Sequence, residues 1–114
     1  MEHRDRIILN KIISEIDIAD EMLGTKSLEE FDSNEMLRRA ISMTVINIGE
    51  LVKNLSEDFR FANKQVKWKE IAGFRDIAAH KYQTLKFEDV YETVKNDFPE
   101  LKTKISAIFE STTI

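Results

Sequence analysis

Residues 33–60 read SNEMLRRAISMTVINIGELVKNLSEDFR and decide the fold of this chain. Their apolar positions recur every three or four residues: Leu37, Ala40, Ile41, Thr44, Ile48, Leu51, Val52, Leu55 and Phe59. Such spacing places them on one face of a helix, so we expect a single helix of about 35–40 Å that Asp32 or Ser33 caps. A helix this long must be the spine of the domain. Gly49 lies inside it, where glycine weakens a helix, and predicts a close approach by another helix.

The other apolar patterns are also helical. They predict a helix over about residues 4–23 that Gly24 ends, and helices over about residues 68–80 and 87–96. They also predict a short turn that Ser27 and Glu30 open, and a last helix capped by Asp97 and Glu100. Three glycines and one proline leave little material for hairpins, and no segment alternates as a strand would. We expect an all-α, up-and-down bundle of four to five helices, with residues 1–114 forming a single domain.

Composition excludes several classes of site. The chain has 114 residues, no cysteine and two histidines, which removes disulfides, thiolate metal sites and three-histidine metal sites. We therefore expect neither a metal nor a cofactor. The longest uncharged run, residues 40–49, is too short to cross a membrane, and the N-terminus has no signal-peptide pattern. The expected location is cytoplasmic.

The charge is unevenly distributed. A net charge of −4 argues against a strongly basic nucleic-acid binder. Residues 60–86, however, carry seven basic and two acidic side chains, interleaved with four aromatic residues: Phe61, Trp68, Phe74 and Tyr82. Such a segment either binds a phosphate backbone with exposed bases or is a solvated helix face and loop, with Trp68 and Phe74 in the core.

The segment GFRDIAAHKY, residues 73–82, contains three side chains suited to phosphate chemistry. His80 can exchange protons near neutral pH, and Arg75 can stabilise extra charge on a phosphorus centre, so the two could cleave RNA without a metal. They are five residues apart, about 140° around an ideal helix. They converge only if the helix frays at His80 or a second chain completes the site. Alternatively, His80 caps the helix and Tyr82 packs in the core.

The same segment resembles the R-x4-H-x-Y signature of the HEPN superfamily, in its HepT-like branch, also described as the DUF86 family. The likeness extends to three further stretches in matching order: IGELVKNLS at residues 48–56, WKEIAGFRD at 68–76 and VKNDFPEL at 94–101. Arg38, Arg39 and Ala40 fit the start of the family's second helix. The resemblance covers about residues 4–106.

This resemblance implies a specific function. Such proteins are the toxin halves of two-gene toxin–antitoxin modules whose partner is a minimal nucleotidyltransferase of the MNT type. They are regarded as metal-independent endoribonucleases that act on RNA as homodimers, with the active cleft at the interface. By motif position, Arg75 and His80 are the catalytic pair. Tyr82 is the tyrosine that the partner can modify with AMP from ATP. The alternative is a catalytically inactive HEPN module that only binds the nucleotidyltransferase.

Three further residues have open roles. Asp76 stands where asparagine is common in the family, and it either orients Arg75 or His80 or repels phosphate. Glu50 and Asn54 share a helix face, so they either reach the cleft and support His80 or form a solvated polar stripe. The bundle pattern by itself also allows a purely structural protein without a site.

Overall fold

The long helices α1 and α3 organise the molecule, as seen in a computed structural model that describes residues 1–111. Of these residues 84% are helical and none lies in a strand, which confirms an all-α bundle. The helices are α1 (His3–Leu23), α2 (Leu28–Asp32), α3 (Glu35–Asn54), α4 (Glu57–Ala62), α5 (Trp68–His80), α6 (Phe87–Glu92) and α7 (Phe98–Ser111). Within residues 1–111, no helix has both the length and the apolar character needed to cross a bilayer.

Helix α3 is the spine, packed chiefly against α5 and α1. Its buried apolar residues Ile41, Val45, Ile48 and Val52 belong to one core, which α1, α5, α6 and α7 complete. Asn34 caps α3 by accepting the Leu37 N–H at 3.0 Å, so the expected cap at Asp32 or Ser33 is off by one or two positions.

The spine is shorter than its apolar pattern predicts. It ends at Asn54, and a separate helix, α4, follows after an extended Leu55. Ser56 caps α4 by accepting the Phe59 N–H at 3.2 Å. The buried Asp5 carboxylate accepts the Ser56 N–H at 2.9 Å and the Ser56 hydroxyl at 2.7 Å. The break between α3 and α4 is stabilised by Asp5, which lies 51 residues before Ser56 in the chain, so the local apolar spacing does not predict it.

The expected start of the last helix is also wrong. The α-helical hydrogen bonding of α6 ends at Glu92, and a π turn over Thr93–Asp97 joins α6 to α7 without a break in the helix. Asp97 lies inside this turn and therefore does not cap a helix. Pro99 supplies the reason, because its ring has no N–H to donate and would clash with the carbonyl four residues back in a regular helix. Burial, then Glu100 and Glu92, raise the pKa of the Asp97 carboxyl.

The first two helix boundaries follow the sequence closely. Helix α1 ends at Gly24, whose φ of +54° suits glycine and whose N–H donates to the Asp20 carbonyl at 2.8 Å. Ser27 and Glu30 form the expected capping box at the start of α2, each side chain bonded to the other residue's N–H at 3.1 Å. Both predictions are confirmed.

Candidate active site

A close contact between α3 and α5 fixes the position of Arg75. Gly49 is buried opposite Arg75, and a Cβ added to Gly49 would overlap the Arg75 Cβ and lie 2.6 Å from its Cγ. The same Cβ would lie 3.3 Å from the Ile71 carbonyl oxygen. The predicted close approach at Gly49 is therefore confirmed. The missing side chain makes room for the stem of the arginine.

The Arg75 guanidinium is held between two carboxylates. Its Nη2 lies 3.3 Å from Glu50 Oε2 on α3, and its Nη1 donates to Asp76 Oδ1 at 3.1 Å. The Arg75 side chain is 21% exposed, so its tip reaches solvent while its Nε is buried without a partner in the part of the chain described. Such a clamp orients a guanidinium whose side chain stays partly exposed.

Lys53 extends this network. Its ammonium donates to Asp76 Oδ1 at 2.6 Å, the same oxygen that accepts from Arg75. Hydrogen bonding to Lys53, and then to Arg75, lowers the pKa of the Asp76 carboxyl, so Asp76 is ionised at neutral pH. Lys53 was missed as a site residue, although its place three positions after Glu50 on one helix face was a usable signal.

His80 stands apart from this network. It lies in the exposed last turn of α5, and the helix is regular up to it, because the Lys81 N–H bonds the Ile77 carbonyl at 2.9 Å. Fraying at His80, one of the two ways to bring it to Arg75, does not occur. Within residues 1–111, the imidazole makes no hydrogen bond or ion pair, and Lys81 takes the C-cap position.

Tyr82 follows in a short 3-10 turn over Tyr82–Thr84. Its half-buried ring packs edge-on against Phe87, with centroids 5.5 Å apart, and the Arg39 guanidinium lies 5.1 Å from its centroid. Its hydroxyl makes no hydrogen bond among the described residues. Arg39 is a second neighbour of the motif that the sequence analysis left without a role.

The two polar residues of α3 separate. Glu50 reaches Arg75, whereas the Asn54 amide donates to the Glu50 backbone carbonyl at 2.9 Å and so serves the end of its own helix. Neither bonds to His80 in the structure described, so support of His80, one of the two roles left open for them, is not seen there. Of the two residues, only Glu50 belongs to the pair of carboxylates around Arg75.

Two other features of the described residues bear on where a site could lie. Among residues 1–111, no three carboxylate or imidazole side chains converge as metal ligands would. A groove of about 290 Å³ lies between α5 and α7, lined by Ile71, Phe74, Asp97 and Leu101 among others, but none of Arg75, His80 or Tyr82 lines it. Arg75 therefore lies at the contact of α3 with α5, whereas His80 lies at the end of α5 and Tyr82 in the turn that follows it.

An all-α bundle that carries an R-x4-H-x-Y segment from α5 into the following turn is of the HEPN-like class. Residues 12–108 match the family model described as ribonuclease HepT-like. The match covers most of the chain, and the protein belongs to that family.

Several relatives are similar over nearly their whole length. A protein of Caldanaerobacter subterraneus, described in its name as a putative RNase, is 35% identical over 92% of this chain and 94% of its own. A Methanocaldococcus jannaschii protein with the same description is 32% identical over 96% of both chains. A Thermococcus cleftensis protein named as a probable ribonuclease HepT is 29% identical over 93% of this chain and 94% of its own. No solved structure matches the chain.

Proposed function

We propose that this protein is a metal-independent endoribonuclease that cleaves RNA with Arg75 and His80. The clamp on Arg75 carries the proposal, because it presents an oriented guanidinium at a partly open surface, which is the arrangement that binds a phosphate diester. Membership of the ribonuclease HepT-like family and relatives named as RNases support the same reaction.

The chemistry balances without a metal. The RNA 2′-hydroxyl attacks the adjacent phosphorus, a new P–O bond forms, and the bond to the 5′-oxygen of the next nucleotide breaks. His80 accepts the 2′-hydroxyl proton or donates one to the leaving 5′-oxygen, and water carries out the other of these two proton transfers. Arg75 stabilises the added negative charge on the phosphorane. The products are a 2′,3′-cyclic phosphate and a 5′-hydroxyl.

A homodimer would complete this site. Arg75 and His80 occupy different faces of one regular helix, so a single chain does not bring them together. The neighbouring surface of α3 and α5 exposes Met36, Met43 and Ile77, the first at 84% of its area. Exposed apolar side chains beside an incomplete site favour a second copy of the chain as the cover.

The decisive experiment is cleavage of RNA by the purified protein in EDTA. Wild type should produce fragments ending in a cyclic phosphate, and His80→Ala and Arg75→Ala should not. Lys102→Met is a suitable control. Lys102 on α7 forms an ion pair with Asp17 on α1 at 2.6 Å, so this substitution also removes a paired lysine, but one on helices other than α3 and α5. If wild type and His80→Ala cleave equally poorly, the endoribonuclease proposal is wrong.

We further propose that the protein is the toxin of a toxin–antitoxin module and that an MNT-type nucleotidyltransferase silences it by adding AMP to Tyr82. The Tyr82 oxygen would attack the α-phosphorus of ATP, pyrophosphate would leave, and the phenol proton would pass to solvent. The added phosphate would repel RNA phosphate. Support comes from the family and from a Tyr82 hydroxyl that no described residue engages.

Intact mass after co-expression with the adjacent nucleotidyltransferase gene tests this modification. Wild type should gain the mass of one adenylyl group, which is AMP less one water, and Tyr82→Phe should not. Tyr91→Phe is the matched control, because the Tyr91 hydroxyl already donates to the Lys26 carbonyl at 2.8 Å. An equal mass gain on Tyr82→Phe would exclude Tyr82 as the acceptor.

A second candidate function is an inactive HEPN module that only binds the nucleotidyltransferase. The observation in its favour is that both Nη atoms of Arg75 already have carboxylate partners. Wild type without His80-dependent cleavage that still forms a stable complex with the nucleotidyltransferase would favour this candidate.

A further inference from the structure

We propose that Lys53 is a positioning residue that neutralises Asp76 and so allows RNA phosphate to approach Arg75. The inference rests on the proposed ribonuclease function and assigns a role to a side chain outside the R-x4-H-x-Y motif.

The geometry gives Asp76 two cationic partners at one atom. Asp76 Oδ1 accepts from Lys53 Nζ at 2.6 Å and from Arg75 Nη1 at 3.1 Å. Glu50 adds the second carboxylate, 3.3 Å from Arg75 Nη2. Two cations and two anions leave this cluster without net charge. Without Lys53, Arg75 would stand between two carboxylates, and the cluster would carry a net negative charge.

That difference acts on an incoming phosphate. A carboxylate bonded to the phosphate-binding arginine lies within a few ångströms of the bound phosphate, where repulsion is strong unless a cation offsets it. The Lys53 and Asp76 side chains are 38% and 48% exposed, so solvent and salt screen part of the effect. We expect removal of the Lys53 charge to weaken RNA binding about tenfold at low salt and less at high salt.

A direct phosphate contact from Lys53 is the competing explanation. The ammonium has three donors and gives one of them to Asp76, so both roles are sterically open. Charge substitution separates them. Under neutralisation, RNA affinity follows the summed charge of the Lys53–Asp76 pair. Under direct contact, affinity follows the presence of the lysine whatever occupies position 76.

The experiment measures binding of a short, fluorescein-labelled, single-stranded 2′-O-methyl RNA by fluorescence anisotropy. This probe has no 2′-hydroxyl, so the proposed reaction cannot cleave it. Lys53→Met should bind about tenfold more weakly than wild type, and Asp76→Asn at least as tightly. The double variant Lys53→Met/Asp76→Asn should return to within about threefold of wild type, because its pair is again neutral. Lys53→Arg should bind like wild type.

Two controls exclude a general effect of charge or folding. Lys102→Met removes a lysine from a pair of equal length, 2.6 Å, with similar exposure, and should leave binding unchanged. The melting temperature of each variant by circular dichroism should stay near that of wild type, because exposed ion pairs contribute little to stability.

The outcomes separate this proposal from the proposed function. A double variant as weak as Lys53→Met would overturn neutralisation in favour of direct contact, and an unchanged Lys53→Met would overturn any role for Lys53. Neither result would affect His80-dependent cleavage, which tests the enzyme itself. Wild type that cleaves nothing but binds the probe with the expected charge pattern would remove the reaction and keep the role of Lys53. Absence of probe binding by wild type would overturn the role of Lys53, and the cleavage experiment would still decide the reaction.

Discussion

The two catalytic candidates on α5 are built in opposite ways. Arg75 lies on the face that packs against α3, with its stem over Gly49 and its guanidinium between Glu50 and Asp76. His80, five residues later on the same helix, is exposed and makes no hydrogen bond within residues 1–111. In the proposed reaction, one chain would hold the phosphate-binding group in place. The proton-transfer group would find its remaining partners in the substrate or in another chain.

The largest expected effect separates the two halves by function. His80→Ala should lower the rate of RNA cleavage by about 10²- to 10⁴-fold, the usual contribution of a general acid or base. The melting temperature should stay within about a degree, because no described packing or hydrogen bond depends on the imidazole. Single-turnover cleavage and thermal melts of the same samples check both parts. A large fall in melting temperature would mean that His80 is structural.

Mixing two inactive variants tests whether the halves meet across a dimer. Random pairing of Arg75→Ala chains with His80→Ala chains gives dimers of which about half are mixed, each with one intact site if the site takes Arg75 and His80 from different chains. Activity should recover to about a quarter of the wild-type rate after mixing and refolding. Recovery would not occur if each site used both residues of one chain.

The close approach beneath Arg75 can be broken by one methyl group. Gly49→Ala should destabilise the protein by about 2 kcal/mol, because the new Cβ overlaps the Arg75 stem and the helices must separate. Gly73→Ala is the matched control on α5, where an added Cβ meets nothing within 4 Å. That control should be neutral or up to about 1 kcal/mol stabilising. Equal effects of the two substitutions in urea unfolding would contradict the close contact.

The smallest expected effect is the difference in stability loss between two tyrosine substitutions, Tyr91→Phe and Tyr82→Phe. Tyr91→Phe should cost about 1 kcal/mol, because it leaves the Lys26 carbonyl without its partner at 2.8 Å. Tyr82→Phe should change stability by less than about 0.5 kcal/mol, since no described residue accepts from that hydroxyl. Chemical denaturation measures both values. A loss of stability of about 1 kcal/mol in Tyr82→Phe would mean that the Tyr82 hydroxyl makes a stabilising hydrogen bond, as the Tyr91 hydroxyl does.

Local patterns predicted the parts of the fold that local forces determine. The bounds of α5, the glycine end of α1 and the Ser27 capping box all depend on neighbours within a few positions. The end of α3 was missed because Asp5 holds Ser56 from a distant part of the chain, and an apolar period contains no record of that bond. The π turn before Pro99 was interpreted as a boundary, because proline in a first helical turn usually marks one.

In the candidate site, too, the sequence predicted what depends on local pattern and missed what depends on tertiary packing. The motif letters located Arg75, His80 and Tyr82, and helix periodicity placed Glu50 on a polar face. The pairing of Lys53 with Asp76 joins residues 23 positions apart on two helices, so only the tertiary packing brings it about. The same packing separated Asn54 from Glu50, which share a helix face but differ in which of them meets α5.

The contact between Gly49 and Arg75 has an evolutionary consequence. The stem of the arginine is also a packing surface, so the space at position 49 and the side chain at position 75 constrain each other's mutations. A descendant that gave up the arginine for a small residue would free position 49 to accept a larger one. Paired loss at these two positions would then identify lineages in which the reaction had been abandoned and only the scaffold was inherited.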